Sequence, residues 1–278
     1  MAQFTNQAQL SYGNVVTSSN VAVGEIVTQL TATKTAVRQS YAQGSTITYI
    51  VNIINSGATG VNGLTATDNL GEYTFGIGTL VPLDYVEGTL LYFVNGTPQP
   101  TPGITGLSPL TVTGISVPAG GNALLVYETR VNQYAPINDG GEITNTVSVT
   151  GECANVTASE TASAVSAPNI TITKSISPIP ISCGESVTYT IVIENTGATP
   201  LIATDNAIIT DTFDPIIENV SATLNGAPVA FTYDEATGLF TTSEGAITVP
   251  AATITQDLTT GEWTVTPGVS TLIVTGTI

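Results

Sequence analysis

A repeat of about 140 residues, entered out of phase, constrains this 278-residue chain more than any other feature. The run Leu30-Thr-Ala-Thr-Lys34 returns as Ile170-Thr-Ile-Thr-Lys174, and Gly44-Ser-Thr-Ile-Thr-Tyr49 as Gly184-Glu-Ser-Val-Thr-Tyr189. Asn55-Ser-Gly-Ala-Thr59 returns as Asn195-Thr-Gly-Ala-Thr199. The opening residues belong to the same series: Phe4-Thr5-Asn6 reads like Ile143-Thr144-Asn145, and Val16-Thr17-Ser18-Ser19 like Val156-Thr157-Ala158-Ser159. Repeat two runs to Ser270–Ile278, which aligns with Asn122–Arg130, and carries no counterpart of residues 131 to 165. The expectation is that the segment finishing repeat two stands at the front of the chain, so that one copy is completed by another.

Thr and Val are abundant, Gly and Pro are spread throughout, and short alternating runs lie between turn signals, which is the pattern of an all-β chain. Asn95-Gly96, Asp139-Gly140 and Asn225-Gly226 read as hairpin turns. The length suits two domains, each with its own core. The predicted organisation is an N-terminal donor hairpin and linker (1–29), an Ig-like sandwich (30–167), and an incomplete Ig-like sandwich (168–278) finished by the N-terminus of a neighbouring subunit. A net charge of −17, with no histidine, argues against nucleic acid and anionic membranes as partners. No apolar run has the length of a membrane-spanning helix. Met1-Ala-Gln-Phe-Thr has neither the basic start nor the apolar stretch of an export signal. The sparse charge and Thr-rich strands nonetheless suit an extracellular location, with the export route open. Cys153 and Cys183 are too few for a disulfide framework; a bond between domains or subunits and two free thiols both remain open.

Strand parity gives the candidate site, because successive side chains alternate between faces. Leu30, Ala32, Lys34 and Ala36 share one face, as do Ile170, Ile172, Lys174 and Ile176. Ile143, Asn145, Val147 and Val149 line up on the closing strand, and the matching donor row is Phe4, Asn6, Ala8 and Leu10. Leu64, Ala66, Asp68 and Leu70 match Ala207, Ile209, Asp211 and Phe213. Each apolar row thus holds one polar residue: Lys34, Asp68 and Asn145 in repeat one; Lys174, Asp211 and the donor's Asn6 in repeat two. The chain's only two lysines occupy the same repeat position.

Burying a lone ammonium, carboxylate or amide costs several kcal/mol, roughly, unless it is compensated. An intramolecular isopeptide bond would remove that cost. Desolvation favours a neutral, nucleophilic lysine and a protonated aspartic acid; the acid polarises the asparagine carboxamide, the amine attacks, and ammonia leaves. Asp68 and Asp211 are the candidate promoting acids, and no metal or cofactor is called for. Plainer roles compete: lysine on an edge strand blocks aggregation, it can snorkel to water, and a buried Lys–Asp pair can persist without reacting.

Spacing bears on the assembly. A neighbour's N-terminus docked in repeat two would recreate the junction inside each chain, a heterologous contact that grows head to tail. Self-completion competes, but residues 24 to 29 reach at most about 20 Å, less than a sandwich length.

The repeats resemble the domain-of-unknown-function-eleven family of bacterial surface proteins, Thr-rich Ig-like modules found in tandem. The matching features are Thr33-Lys34 and Thr173-Lys174, the Gly-x-x-x-Thr-Tyr strands, the Asn55 and Asn195 turns, Thr67-Asp68 and Thr210-Asp211, and Ile143-Thr-Asn145-Thr. The resemblance implies a cell-surface or appendage role and is compatible with isopeptide chemistry. With no export signal or wall anchor in view, it favours a self-assembling subunit, such as a spore or cell appendage.

Other functions have weaker support. An enzyme would need a constellation that the chain lacks, beyond autocatalytic bond formation. A surface adhesin module binding calcium or carbohydrate is the rival: Asp68, Asn69, Asp205, Asn206, Asp211 and Asp214 are oxygen donors, though without the dense spacing of a calcium loop. Tyr73, Tyr85, Tyr92, Tyr233 and Trp263 are aromatic surfaces for sugars or for the core.

Overall fold

The computed structural model describes residues 2–26, 29–151 and 154–278. The chain is all-β, built as tandem Ig-like sandwiches; among the described residues a single 3-10 turn, Ala203–Asp205, is the sole helical element. None of the described helices is long and apolar enough to cross a membrane. By compactness the residues divide into one unit of Met1–Gln39, Gly44–Asn132 and Ile143–Ala162, and another of Ser40–Gln43, Gln133–Glu142 and Ser163–Ile278.

The first sandwich faces two sheets. One runs in the order Thr97–Gln99, Leu91–Val94, Asn122–Val131, Thr46–Asn55, Leu30–Ala36. The other runs Gly103–Leu107, Leu110–Val117, Val61–Asp68, Glu142–Gly151, Ala154–Ala164, Ser40–Tyr41. Strict alternation on Thr46–Asn55 puts Ile47, Tyr49, Val51 and Ile53 in the core and their neighbours toward water. They meet Leu64, Ala66, Val147 and Val149 of the facing sheet, all buried. The expected rows on the Lys34, Asp68 and Asn145 strands therefore do point inward.

Asn95-Gly96 and Asn225-Gly226 form two-residue hairpin turns with positive φ at both positions, as their chemistry demands. Asp139-Gly140 differs. It sits in a turn closed by Gly141 N–H on Asn138 O, inside the loop leading to Glu142–Gly151, and does not join two paired strands.

In the second sandwich one sheet runs Ile170–Ser177, Ser186–Asn195, Gly268–Thr277, Glu218–Leu224, Ala227–Pro228. The other holds three strands, Thr210–Thr212, Leu239–Thr242 and Phe231–Asp234. Val187, Tyr189, Ile191, Phe213, Phe240 and Leu272 form its core. Asn55 and Asn195 play one part in both sandwiches: each Oδ1 accepts from the N–H two residues on, and each Nδ2 donates to the carbonyl four residues on. Asn55 Nδ2 also reaches Val117 O, and Asn195 Nδ2 reaches Pro250 O. After Val117 the first sandwich makes a tight turn, whereas after Pro250 the second inserts the hairpin Thr253–Gln256 with Trp263–Thr266.

Register corrects one alignment. Tyr127 lies across from Tyr49, and the residue across from Tyr189 is Val274. The match of Ser270–Ile278 with Asn122–Arg130 is thus one residue out of step, and a one-residue step exchanges the two faces of a strand.

The N-terminus forms a free-standing hairpin. Ala2–Asn6 pairs with Ala22–Ile26, and Gln9–Tyr12 with Val15–Ser18, around a turn led by Gly13 at positive φ. The Phe4 ring lies over Gly24, where a Cβ would collide with it. Among the described residues these strands pair only with one another.

Candidate functional site

The first sandwich brings Lys34, Asp68 and Asn145 into one enclosed space. Their strands come from both sheets: Lys34 from the edge of one, Asp68 from the middle of the other, and Asn145 from the strand beside it, where Val147 lies across from Asp68. All three side chains are buried, Lys34 to 4% exposure and Asn145 to 0%. Asp68 Oδ2 accepts from the Lys34 ammonium and from the Tyr127 hydroxyl, while Oδ1 accepts from Leu70 N–H at 2.9 Å. The ammonium stands 4.7 Å from the centre of the Tyr49 ring, which stacks against Tyr127 at 6.0 Å.

Burial sets the electrostatics. Desolvation pulls the Lys34 amine from 10.5 down to about 8, against the opposing pull of Asp68. The same loss of water pushes both phenols, Tyr49 and Tyr127, well above their ordinary value, so they remain protonated. A lysine in this state supplies a neutral amine near neutral pH, the form that attacks carbonyl carbon.

The Asn145 carboxamide is held through its oxygen by backbone, not by Asp68 as the sequence suggests. Its Oδ1 accepts from the backbone N–H of Gly71 at 3.2 Å, and Asp68 is engaged with the lysine and Tyr127. Gly71 adopts φ +75, and a Cβ there would run into Ile143, so glycine is what allows the N–H to approach the amide. An N–H aimed at this oxygen polarises the carbon and stabilises the oxyanion formed on attack. The amide nitrogen, the group that would leave, is buried and faces the Tyr49 hydroxyl.

The second sandwich repeats half of this arrangement. Lys174 pairs with Asp211, 4.6 Å from the Tyr189 ring centre and 5.2 Å from that of Phe213. Val274 stands where Tyr127 supplied a hydroxyl, and Phe213 replaces Leu70, so one aromatic ring has moved from one sheet to the other. The enclosure is missing. The Lys174 side chain is 41% exposed, and its row-mates Ile172 and Ile176 are 62% and 37% exposed. Thr210–Thr212 pairs with Leu239–Thr242 on one side only, whereas its counterpart Val61–Asp68 lies between two strands.

The residues expected to form the donor row are exposed. Phe4 and Leu10 are 56% and 62% exposed, and Asn6 and Ala8 are exposed beside them. Cys183 is exposed and has no disulfide partner among the described residues; Cys153 falls outside them. Two oxygen donors of the rival reading have other work: Asn69 Oδ1 accepts from Gly71 and Thr146 N–H, and Asp205 caps Ile202 N–H at 2.8 Å. Tyr85 and Tyr92 are buried, and the Tyr92 and Tyr233 hydroxyls hold Ser116 and Ile217 backbone.

Tyr49, Tyr127 and Gly71 were not singled out for the site from sequence. Tyr49 had a signal, the Gly-x-x-x-Thr-Tyr strand that recurs at Tyr189. Gly71 acts through its backbone and leaves no such mark.

No protein-family model and no curated protein matches the chain. Solved structures similar to it include BcpA, the major pilin subunit of Bacillus cereus, at 12% identity over 96% of this chain and 73% of that one, with a TM-score of 0.37. The pilus backbone RrgB from Streptococcus pneumoniae matches at 12% identity over 86% of this chain and 55% of that one, TM-score 0.35. ACE19, the collagen-binding subdomain of the Enterococcus faecalis surface protein ACE, matches at 7% identity over 48% of this chain and 94% of that one, TM-score 0.30. At such scores these likenesses carry no functional argument.

Proposed function

We propose that the protein is the structural subunit of an extracellular filament on a cell or spore surface, growing head to tail by donor-strand complementation. The observation that supports this most is a mismatch within residues 1–278: an acceptor with an open strand edge and an exposed apolar row, and a free hairpin bearing the row that fills the same place in the first sandwich. Transferring the register of Val147 on Asp68 and Val149 on Ala66 places Ala8 across from Asp211 and Leu10 across from Ile209. Phe4 and Leu10 would then leave water, as would Ile172 and Ile176. Each such side chain contributes about 1.5–3 kcal/mol when fully buried, and main-chain bonds along the open edge fix the register.

Isopeptide bonds lock the structure in this reading. Lys34 joins Asn145 within each chain, and Lys174 joins Asn6 of the adjoining copy. The subunit is non-catalytic apart from forming these bonds, and the family resemblance of its repeats to the domain-of-unknown-function-eleven modules accords with a surface role.

Deletion of residues 1–23 tests the reading. The truncated chain is expected to stay monomeric by sedimentation and electron microscopy at concentrations where the full chain forms filaments. Ordinary filaments from the truncated chain would overturn it.

A further inference from the structure

The two lysine sites carry the same Lys–Asp pair, but only the first is closed. Lys34 has the asparagine strand, Tyr127 and Gly71 around it. Lys174 has its carboxylate and two aromatic rings, and an open side where water reaches the amine. We propose that the second-sandwich site is a covalent capture site for an extended peptide, idle in the free subunit and activated by the strand that fills it. This rests on the donor-strand reading above and adds to it when, and on what, the bond forms.

The ligand class follows from the filled counterpart. The captured strand needs an asparagine two residues after a large apolar side chain, followed by inward small or apolar residues at the next two alternate positions. The chain contains this pattern as Phe4-Asn6-Ala8-Leu10, on a hairpin exposed in the free subunit. Register is decisive, because a slip of one residue turns the asparagine outward.

Docking supplies three things that the open site lacks. It brings the electrophile, excludes water from the amine, and sets the carboxamide near the backbone after Asp211. Burial of the equivalent amine in the first sandwich moves Lys34 toward its neutral form. In the coupling step Asp211 takes one proton from the Lys174 ammonium, and the amine lone pair forms the Nζ–Cγ bond to Asn6. The Cγ–Nδ2 bond then breaks, and a second Nζ proton passes to the departing nitrogen, which leaves as ammonia. Asp211 returns its proton to water, and no oxidant or reductant enters.

One consequence is that each free subunit, and the growing end of each filament, keeps an uncoupled lysine. A synthetic hairpin of residues 2–26 added in excess to the dilute full-length chain should cap that lysine. Intact mass should show one adduct per chain, lighter than the sum by one ammonia, with the link mapped between Lys174 and Asn6. The Asn6→Ala peptide should block filament growth equally and give no adduct. An amine-acylating reagent should modify Lys174 in the free chain and lose at least tenfold in rate once the Asn6→Ala peptide is bound. If the native peptide blocks growth but leaves Lys174 unlinked, covalent capture is refuted and strand exchange stands. Equal coupling to an Asn peptide of unrelated sequence would refute activation by docking. If the chain forms filaments and neither peptide interferes, this inference and the donor-strand reading fall together.

Discussion

The strand Leu30–Ala36 in the first sandwich and Ile170–Ser177 in the second have the same alternation, the same partner strand and the same lysine. They differ sharply in how much water they meet. Lys34 is enclosed because Glu142–Gly151 lies across the facing sheet and lowers Asn145 toward it; Lys174 is half open because its facing sheet ends at Thr210–Thr212. One lysine position is therefore a desolvated ion pair in one sandwich and a half-solvated one in the other, according to whether a closing hairpin is in place. Local sequence sets the pair, and the hairpin sets its chemistry.

Substitutions should separate the two sites. The largest loss is expected for Lys34→Met made in the unlinked Asn145→Ala chain, where it leaves Asp68 buried without its cation. Breaking a buried pair in this way costs about 3–5 kcal/mol, read as a lower urea midpoint of the first sandwich. Tyr127→Phe removes a hydroxyl donor to the same carboxylate and should cost about 1.5–3 kcal/mol, the range for a hydrogen bond to a charged group. Val274, at the matching position of the second sandwich, offers no such donor.

The pH dependence sharpens the comparison further. Lys34 titrates near 8 in an environment shared with Asp68, Glu160, Tyr49 and Tyr127. Below that value the neutral amine falls about tenfold per pH unit. Ammonia loss from Asn145 as Lys34 couples to it, during the first folding of the unlinked chain, should therefore accelerate with pH and level off above about 8, followed by intact mass. A plateau delayed to the ordinary lysine value of 10.5 would mean that the amine reacts before it is buried. The smallest effect should be Lys174→Met in the free subunit. The pair there is substantially exposed, and such pairs contribute about 0–1 kcal/mol, so thermal unfolding should barely move even though covalent coupling is lost.

Much of this plan was legible in the residues, since a period of two on Leu30–Ala36, Leu64–Leu70 and Ile143–Val149 identifies the inward rows whatever the loops do. Lys34, Asp68 and Asn145 stood out because each interrupts an apolar row. The slip at Tyr127 was hidden because Asn122–Arg130 and Gly268–Thr277 are both long apolar alternations, and such runs align almost equally well one residue apart; cross-strand pairing resolves them. The hydrogen bond from Gly71 to Asn145 was illegible for a different reason: it depends on backbone conformation, and a glycine after Asn69-Leu70 signals a turn without saying what its N–H faces. The moved ring at Phe213 likewise belongs to three-dimensional packing, where two distant positions exchange bulk across the core.

The placement of Lys34 on the first strand and Asn145 near the last also bears on how a chain of these subunits would carry tension. Pulled from its ends, an uncrosslinked sandwich must resist through hydrogen bonds that shear between strands. A bond between Lys34 and Asn145 would carry the force from entry strand to exit strand directly, leaving residues 35 to 144 as an unloaded loop. With Lys174 tied to Asn6 at each joint, the backbone under load would become one continuous covalent thread, and the sandwiches would hang from it as slack.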